Sequence, residues 1–450
     1  LAFIWYCYGL TLIQLNLMTH YGIICPAAIG HLNPMCALGR ELQRRNHNVT
    51  IFGIADIEAK VKNSGLNFCL IGEQAFPLGE LEKQYEKLGK MNGNKGLKFT
   101  IKLLLNEAKM LFSNVPEAIK FVGVEALIID QVSTAGGTIA DWLEMPYITV
   151  CNALLINREA GVPPYFTHWG YSEAWWAQVR NQIGNFFLNR ISYPIWKEIQ
   201  KQRQQWELPL YNKREDAYSR LAQICQLPID FDFPREKLPN HFHYTGPLQE
   251  PSGLESVSFP DISFPWDKLS DKSLIYASLG TLQNKVPEIF QCIAKAVAEL
   301  DVQLVISLGN PNNKPSDYNL PDSVIVVSFA PHQKLIDKAN IVITHAGMNT
   351  TLGALSSGVP IVAIPITNEQ PGIASRIART GVGEVLLLRN LTASNLQAAI
   401  KRVLTEDSYK KNALRLKAAI EKAGGVKRAA DIVEQVAATG KPVLAQGQRI

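Results

Sequence analysis

Between Ile341 and Ile377 the chain has few ways to fold. Ile341-Val342-Ile343-Thr344 is a short β-branched run of the kind buried on both faces of a parallel sheet, and Ile361-Val362-Ala363-Ile364-Pro365 is a second. Between them, Ala346-Gly347 permit close backbone approach, and Asn349-Thr350-Thr351 can cap a helix through Leu352, Ala354 and Leu355 that Gly358-Val359-Pro360 stops. The start of such a helix presents free N–H groups and a positive dipole end to an anion, with His345 as a further donor. Asn368-Glu369-Gln370 then falls at the carboxyl end of the second strand, where open α/β sheets hold their ligands.

The rest of the chain repeats this grammar. Tyr21 to Ala27 reads as a strand and Pro34 to Arg45 as a helix, with Gly30-His31-Leu32-Asn33-Pro34 in the loop between them. Val49–Phe52, Phe68–Ile71 and Ala126–Asp130 supply further strands, and helices are predicted at Leu78–Leu88 and Gly96–Ser113. A Pro-, Ser- and Asp-rich stretch from Phe231 to Ser270 reads as a linker, after which a second α/β series follows from Leu274. Ala393 to Ala438 reads as helical throughout, its last turns long enough to cross back over the first half. Alternating strands and helices mean parallel, doubly wound sheets, and 450 residues suggest two of them.

Composition narrows the function. A net charge of +5 from 45 Lys and Arg against 40 Asp and Glu, with no dense basic block, argues against nucleic-acid binding. The seven scattered cysteines show neither Cys-x-x-Cys nor zinc spacing and read as reduced thiols of a cytoplasmic protein. Leu1 to Leu17 is apolar without Lys or Arg. It reads as a non-native or disordered extension ahead of a start at Met18, the alternative being a membrane anchor. Val162 to Trp206 is crowded with Trp169, Trp175, Trp176, Phe186, Phe187 and Trp196 among Arg180, Arg190 and Lys197. The simpler reading is a packed helical subdomain; the others are a wall of an apolar pocket or a surface in peripheral membrane contact.

His345-Ala346-Gly347-Met348-Asn349-Thr350-Thr351-Leu352, then Gly358-Val359-Pro360 and Glu369-Gln370, resembles the donor-binding signature of the UDP-glycosyltransferases, glycosyltransferase family 1. The likeness covers essentially Met18 to Ala438. It departs at Phe329-Ala330-Pro331-His332, where the family has Trp-x-Pro-Gln, and at Gly353, where plant members carry a ribose-binding Glu. The resemblance implies the GT-B fold: an acceptor-binding domain over 18–235, a linker over 236–272, a nucleotide-sugar domain over 273–425 and a returning helix and tail over 426–450. It also implies an inverting hexosyltransferase moving a sugar, glucose first, from a UDP-sugar to a hydroxyl. The similarity to zeaxanthin- and macrolide-type members suggests a lipophilic acceptor. The enzyme would act as a monomer or weak homo-oligomer with no cofactor beyond the UDP-sugar co-substrate.

Residue by residue, the family's base falls on His31, which taken alone would read as a solvated or capping loop side chain. Asp130, at a neighbouring strand end, either accepts from one imidazole nitrogen and stabilises the imidazolium or caps the helix near Ser133-Thr134. His345, N–H groups at Gly347, Asn349 and Thr350, and Thr281 are expected at the diphosphate, Glu369 and Gln370 at the sugar, and Ser307 with the Ala330 backbone at the base. No metal is expected, since the only Asp-x-Asp pair, Asp230 and Asp232, lies outside the donor half and reads as structural. A nicotinamide oxidoreductase would need Gly-x-Gly-x-x-Gly after a strand, which the first loop of neither half has. A UDP-sugar 2-epimerase and a non-catalytic sugar-nucleotide binder stand as alternatives; the pairing of His31 with Asp130 speaks against the binder.

Overall fold

A computed structural model describes residues 18–91, 93–250, 264–281, 286–310 and 312–445. The extension at 1–17 and the centre of the Pro-rich stretch lie outside them.

The first half runs β1 (His20–Ile24), α1 (Ile29–Arg44), β2 (Asn48–Gly53), α2 (Glu58–Asn63), β3 (Asn67–Leu70), α3 (Glu80–Gly89), α4 (Gly93–Val122), β4 (Ala126–Asp130), α5 (Ala135–Trp142), β5 (Tyr147–Cys151), α6 (Trp175–Gln205), β6 (Gln223–Cys225) and β7 (Phe242–Tyr244). Its seven strands form one sheet in the order β3-β2-β1-β4-β5-β6-β7, every neighbour parallel. The second half runs β8 (Ser273–Ser278), α7 (Pro287–Val297), β9 (Val302–Ser307), β10 (Ile325–Val327), α8 (His332–Lys338), β11 (Ile341–Thr344), α9 (Met348–Ser356), β12 (Ile361–Ala363), α10 (Gln370–Thr380), β13 (Gly383–Val385), α11 (Ala393–Thr405), α12 (Asp407–Ala423) and α13 (Gly425–Thr439). Its six parallel strands follow the order β10-β9-β8-β11-β12-β13. In both sheets the central strands are buried at every position and mostly apolar, as covering on two faces requires.

Three expectations need correction. The stretch 236–272, read as linker, contributes β7 to the first sheet, because Phe242 and Tyr244 are buried against β6. The first helix begins at Ile29, so His31 stands in its first turn and not in a loop. Pro34 therefore sits inside α1 and removes the N–H that the Gly30 carbonyl would have received.

The final helix returns to the first half. Val426, Ala429, Ile432, Val433 and Val436 of α13 join the core built by Tyr21, Ile23, Ile128 and Val150. Arg45 reaches Asp431 at 2.6 Å and Glu434 at 2.7 Å, and the His47 ring meets Glu434 at 2.9 Å. A second tie is fully buried: Asp232, in the connection from β6 to β7, accepts from Arg376 of α10 at 2.7 Å and from Arg235 at 2.9 Å, and the Tyr244 hydroxyl donates to it at 2.8 Å. This ion cluster gives Asp232 a structural role across the two halves.

Candidate active site

The carboxyl ends of the two sheets face each other across a cavity of about 820 Å³. His31 reaches it from the first turn of α1. Its Nδ1 lies 2.8 Å from Oδ2 of Asp130, the last residue of β4, and Asp130 is only 1% exposed. The same carboxylate accepts from Asn152 Nδ2 at 2.7 Å and from the Val132 amide at 2.9 Å. A carboxylate only accepts, so Nδ1 carries the proton and Nε2 is left as the imidazole's basic nitrogen. The other oxygen of Asp130 holds the turn at Val132, while α5 starts at Ala135 behind an N-cap, Thr134, with no side-chain cap, so Asp130 does not cap that helix. Burial would lower the His31 pKa, but the Asp130 charge and hydrogen bond, helped by Glu369 and Glu107, lift it to about 9.

Sequence reasoning missed two of these neighbours. Asn152 follows β5 directly and becomes a partner of Asp130 only because β5 lies beside β4. Glu107, on α4, lines the cavity and accepts from the Ser133 hydroxyl at 2.7 Å; burial pushes its carboxyl up to about 7 despite that bond. Neither belongs to a local motif, so long-range pairing was the only signal that could have found them.

On the opposite wall, Ala346 at φ 64°, after β11, and Asn368 at φ 54°, in the loop from β12 to α10, hold left-handed backbone. Ala346 turns the chain so that His345 faces the cavity and α9 starts immediately after Gly347. That ring lies between two glycines: a Cβ on Gly280 would come within 2.6 Å of His345 Cε1, and one on Gly347 within 2.5 Å. Burial, then the neighbouring His332, holds His345 down at about 4, so it is a neutral imidazole near pH 7.

The N-cap of α9 is Gly347 and carries no side-chain cap, so the expected capping by Asn349-Thr350-Thr351 does not occur. Those residues are already helical. The first N–H that bonds within the helix is that of Thr351, to Gly347 at 3.0 Å, and the amides of Met348, Asn349 and Thr350 precede it. Asn349 Nδ2 instead crosses the cleft and donates to the Gly30 carbonyl at 3.0 Å, the group that Pro34 left without its helical donor.

Thr281, Ser307, Ala330, His345, Gly347, Asn349, Thr350, Glu369 and Gln370 all line this cavity together with His31, while Asp130 stands behind the imidazole. Gln370 also braces its own loop, since its Oε1 accepts from the amides of Ile366 and Thr367 at 2.9 Å each. His332, at the departure from the family pattern, meets the Tyr276 hydroxyl at 2.8 Å. On the side of the first half the cavity is apolar, walled by Phe52, Ile71, Phe76, Leu97, Leu104 and Met110 from the strand ends and α4. Of the aromatic segment, for which a pocket wall is one of the alternatives, Tyr165 lines the cavity and Trp169, Trp175, Trp176, Phe186, Phe187 and Trp196 do not.

Solved glycosyltransferases share this architecture. The calicheamicin glycosyltransferase CalG4 superposes with a TM-score of 0.72 at 20% identity, covering 94% of this chain and all of its own, and the glycosyltransferase of kitacinnamycin gives 0.71 at 18%. The fold is GT-B. Residues 83–428 match the family described as UDP-glucoronosyl and UDP-glucosyl transferase, and the chain belongs to that family. It is 32% identical to a zeaxanthin glucosyltransferase of Pantoea ananas over 95% of this chain and 98% of that protein, and 26% identical to the NDP-glycosyltransferase YjiC of Bacillus subtilis over 92% and 96%. It is a glycosyltransferase. Among the described residues no helix is long and apolar enough to cross a membrane.

Proposed function

We propose that the protein transfers a hexose, glucose in the first instance, from a UDP-sugar to the hydroxyl of a lipophilic small molecule, with inversion at the anomeric carbon. The observation that carries this reading is that the His31–Asp130 pair opens onto the same cavity as the start of α9, with an apolar wall alongside. His31 Nε2 takes the acceptor proton while the acceptor oxygen attacks the anomeric carbon from the face opposite the diphosphate. The bond from that carbon to the diphosphate oxygen breaks, and UDP leaves with the electron pair. His345 and the first amides of α9 then receive the charge, a task for donors already fixed in place. Glu369 and Gln370 hold sugar hydroxyls, Thr281 adds a donor at the phosphates, and Ser307 with the Ala330 backbone meets the nucleobase. The name of the zeaxanthin glucosyltransferase supports a lipophilic acceptor, as does the apolar wall.

The test is incubation with UDP-glucose, in a chelator, against a series of lipophilic alcohols and a lipid extract. The expected products are β-glucosides from the α-linked donor, with activity undiminished by the chelator. Products that keep the donor's anomeric configuration would remove the inverting mechanism, and activity that returns only with magnesium or manganese would remove metal independence. UDP release without any glycosylated product would move the reading to an epimerase-like enzyme.

His345→Ala should raise the Michaelis constant for the UDP-sugar by roughly 10–100-fold, the effect of losing one hydrogen bond to a charged group. Acceptor binding should be little changed. Unaltered donor kinetics would sink the assignment of His345 to the diphosphate.

A further inference from the structure

Outside the cleft, α6 bears a face that none of the described residues covers. Trp175, Val179, Ile183 and Phe186 recur at helical spacing, Trp176 and Phe187 flank them, and all six are exposed, Trp175 by 77% and Phe186 by 66%. The opposite face is spent on packing, with Leu188, Ile195 and Ile199 buried and α4 against it. The exposed stripe continues into cations: Arg190 and Lys197 lie on the same line of the helix, both exposed. A packed helical subdomain, the simpler reading of these aromatics, would have buried them.

Beside this face lies a second cavity of about 910 Å³, distinct from the cleft. Arg158, Arg190, Lys213, Arg214, Arg220 and Lys237 line it, and Phe186 and Tyr193 belong to both the cavity and α6. Among the described residues none of the six cations forms an ion pair. Glu159, Glu215 and Asp216 also line the cavity and offset half of these cations; Asp216 is engaged by the amides of Asn212 and Lys213, and Glu159 by that of Glu236 through one oxygen, its other being buried without a partner. The Nε of Arg158 is buried without a hydrogen-bond partner, and Arg214 spends its guanidinium on the backbone carbonyls of Asn189 and Ser192. Burial, then the Arg158 charge beside it, lowers the Arg214 pKa against the opposing pull of Glu215.

An apolar aromatic ridge edged by cations and opening on a basic hollow has the chemistry of an anionic bilayer surface. Trp and Phe settle at the headgroup level while Lys and Arg meet the phosphates. We propose that the outer face of α6 docks the protein on a membrane containing anionic phospholipid, with a headgroup phosphate seated among Arg158, Arg190 and Arg214. This goes beyond the sugar-transfer reading and does not rest on it. The docked face is one helix layer from the cleft, because α4, which packs against α6, also walls the apolar side of the active-site cavity.

The test is sedimentation of the full chain with vesicles of phosphatidylcholine alone and of phosphatidylcholine mixed with phosphatidylglycerol. The expected result is binding to the mixed vesicles that high salt reverses, weakened about fivefold by each of Arg190→Gln and Lys197→Gln. Replacing Trp175, Trp176, Phe186 and Phe187 together by Ser should abolish it while leaving transfer to a water-soluble acceptor unchanged; these side chains are exposed and touch no part of the cleft. As a second measurement, brominated lipid should quench the tryptophan fluorescence of the native chain, and less so that of a Trp175→Phe, Trp176→Phe variant. The proposal is overturned if neither vesicle binds, if the fourfold Ser variant binds as well as the native chain, or if inorganic phosphate occupies the basic cavity without vesicle binding. It is equally overturned if the face holds two copies of the chain together in a dimer that the Ser variant dissolves and that ignores lipid.

Discussion

His31→Ala should lower transfer to an aliphatic alcohol by roughly 10²–10⁴-fold while UDP binds as before. The donor contacts lie on the other half of the cleft, so binding and rate should separate. A phenol should lose less, because its hydroxyl ionises with less help. The pH profile gives a sharper signature. The base must be neutral to accept a proton, and Asp130 holds the imidazole at about 9. The kcat/KM of the free enzyme should therefore climb with pH and level off only above that value. Asp130→Asn removes the charge that raises the pKa, so the break should move to lower pH and the plateau should fall, since the amide still orients the ring but cannot stabilise the imidazolium. A profile with the same break in Asp130→Asn would show that the pair does not supply the titrating base. Wild-type rates for both acceptors in His31→Ala would place the base elsewhere.

Asp232→Ala should destabilise the protein by about 3–5 kcal/mol, the usual result of leaving buried cations without their partner. Asp232, Arg235 and Arg376 have essentially no exposed side-chain surface, so solvent cannot substitute for the lost carboxylate. Burial alone would raise the Asp232 pKa, but Arg235 and Arg376 outweigh it and draw it down to about 2. The sign follows: the cluster stabilises the fold fully above the ordinary carboxylate range, and that contribution is lost as pH falls towards 2. Thermal midpoints across that range check both statements. A midpoint in Asp232→Ala matching the native chain, or a native chain whose acid unfolding is unchanged by the substitution, would show that the tie carries no net stability.

Much of this was legible from local pattern. The β-branched runs announced the parallel strands, and Ala346-Gly347 announced the close turn at which His345 and α9 meet the cavity. What sequence reasoning misplaced was governed by contacts far apart in the chain. The start of α1 was hidden because Ala28 offers no side-chain cap and because Gly30 and Pro34 both look like breakers; the carbonyl that Pro34 frees is satisfied by Asn349, more than three hundred residues away. The helix read as Gly96–Ser113 runs on through Pro116 to Val122, held by packing of Val115 and Ile119. β6 and β7 are three residues each, too short to show a period; β6 forms on the edge that β5 offers, and β7 on the edge of β6. The aromatics of α6 look like core material in sequence, and only the position of α4 decides which of them face inward.

The return of α13 sets a timetable for biosynthesis. The first sheet is complete once Tyr244 has emerged, yet the helix that covers Tyr21 and Ile23 begins only at Gly425. At roughly 5–20 residues added per second, about ten to forty seconds pass between the two events. Through that interval the nascent first half presents uncovered apolar surface, and the second half must close its own core before the last helix can reach back. A ribosome stalled anywhere short of Val433 thus holds a protein whose first-made half is still unfinished.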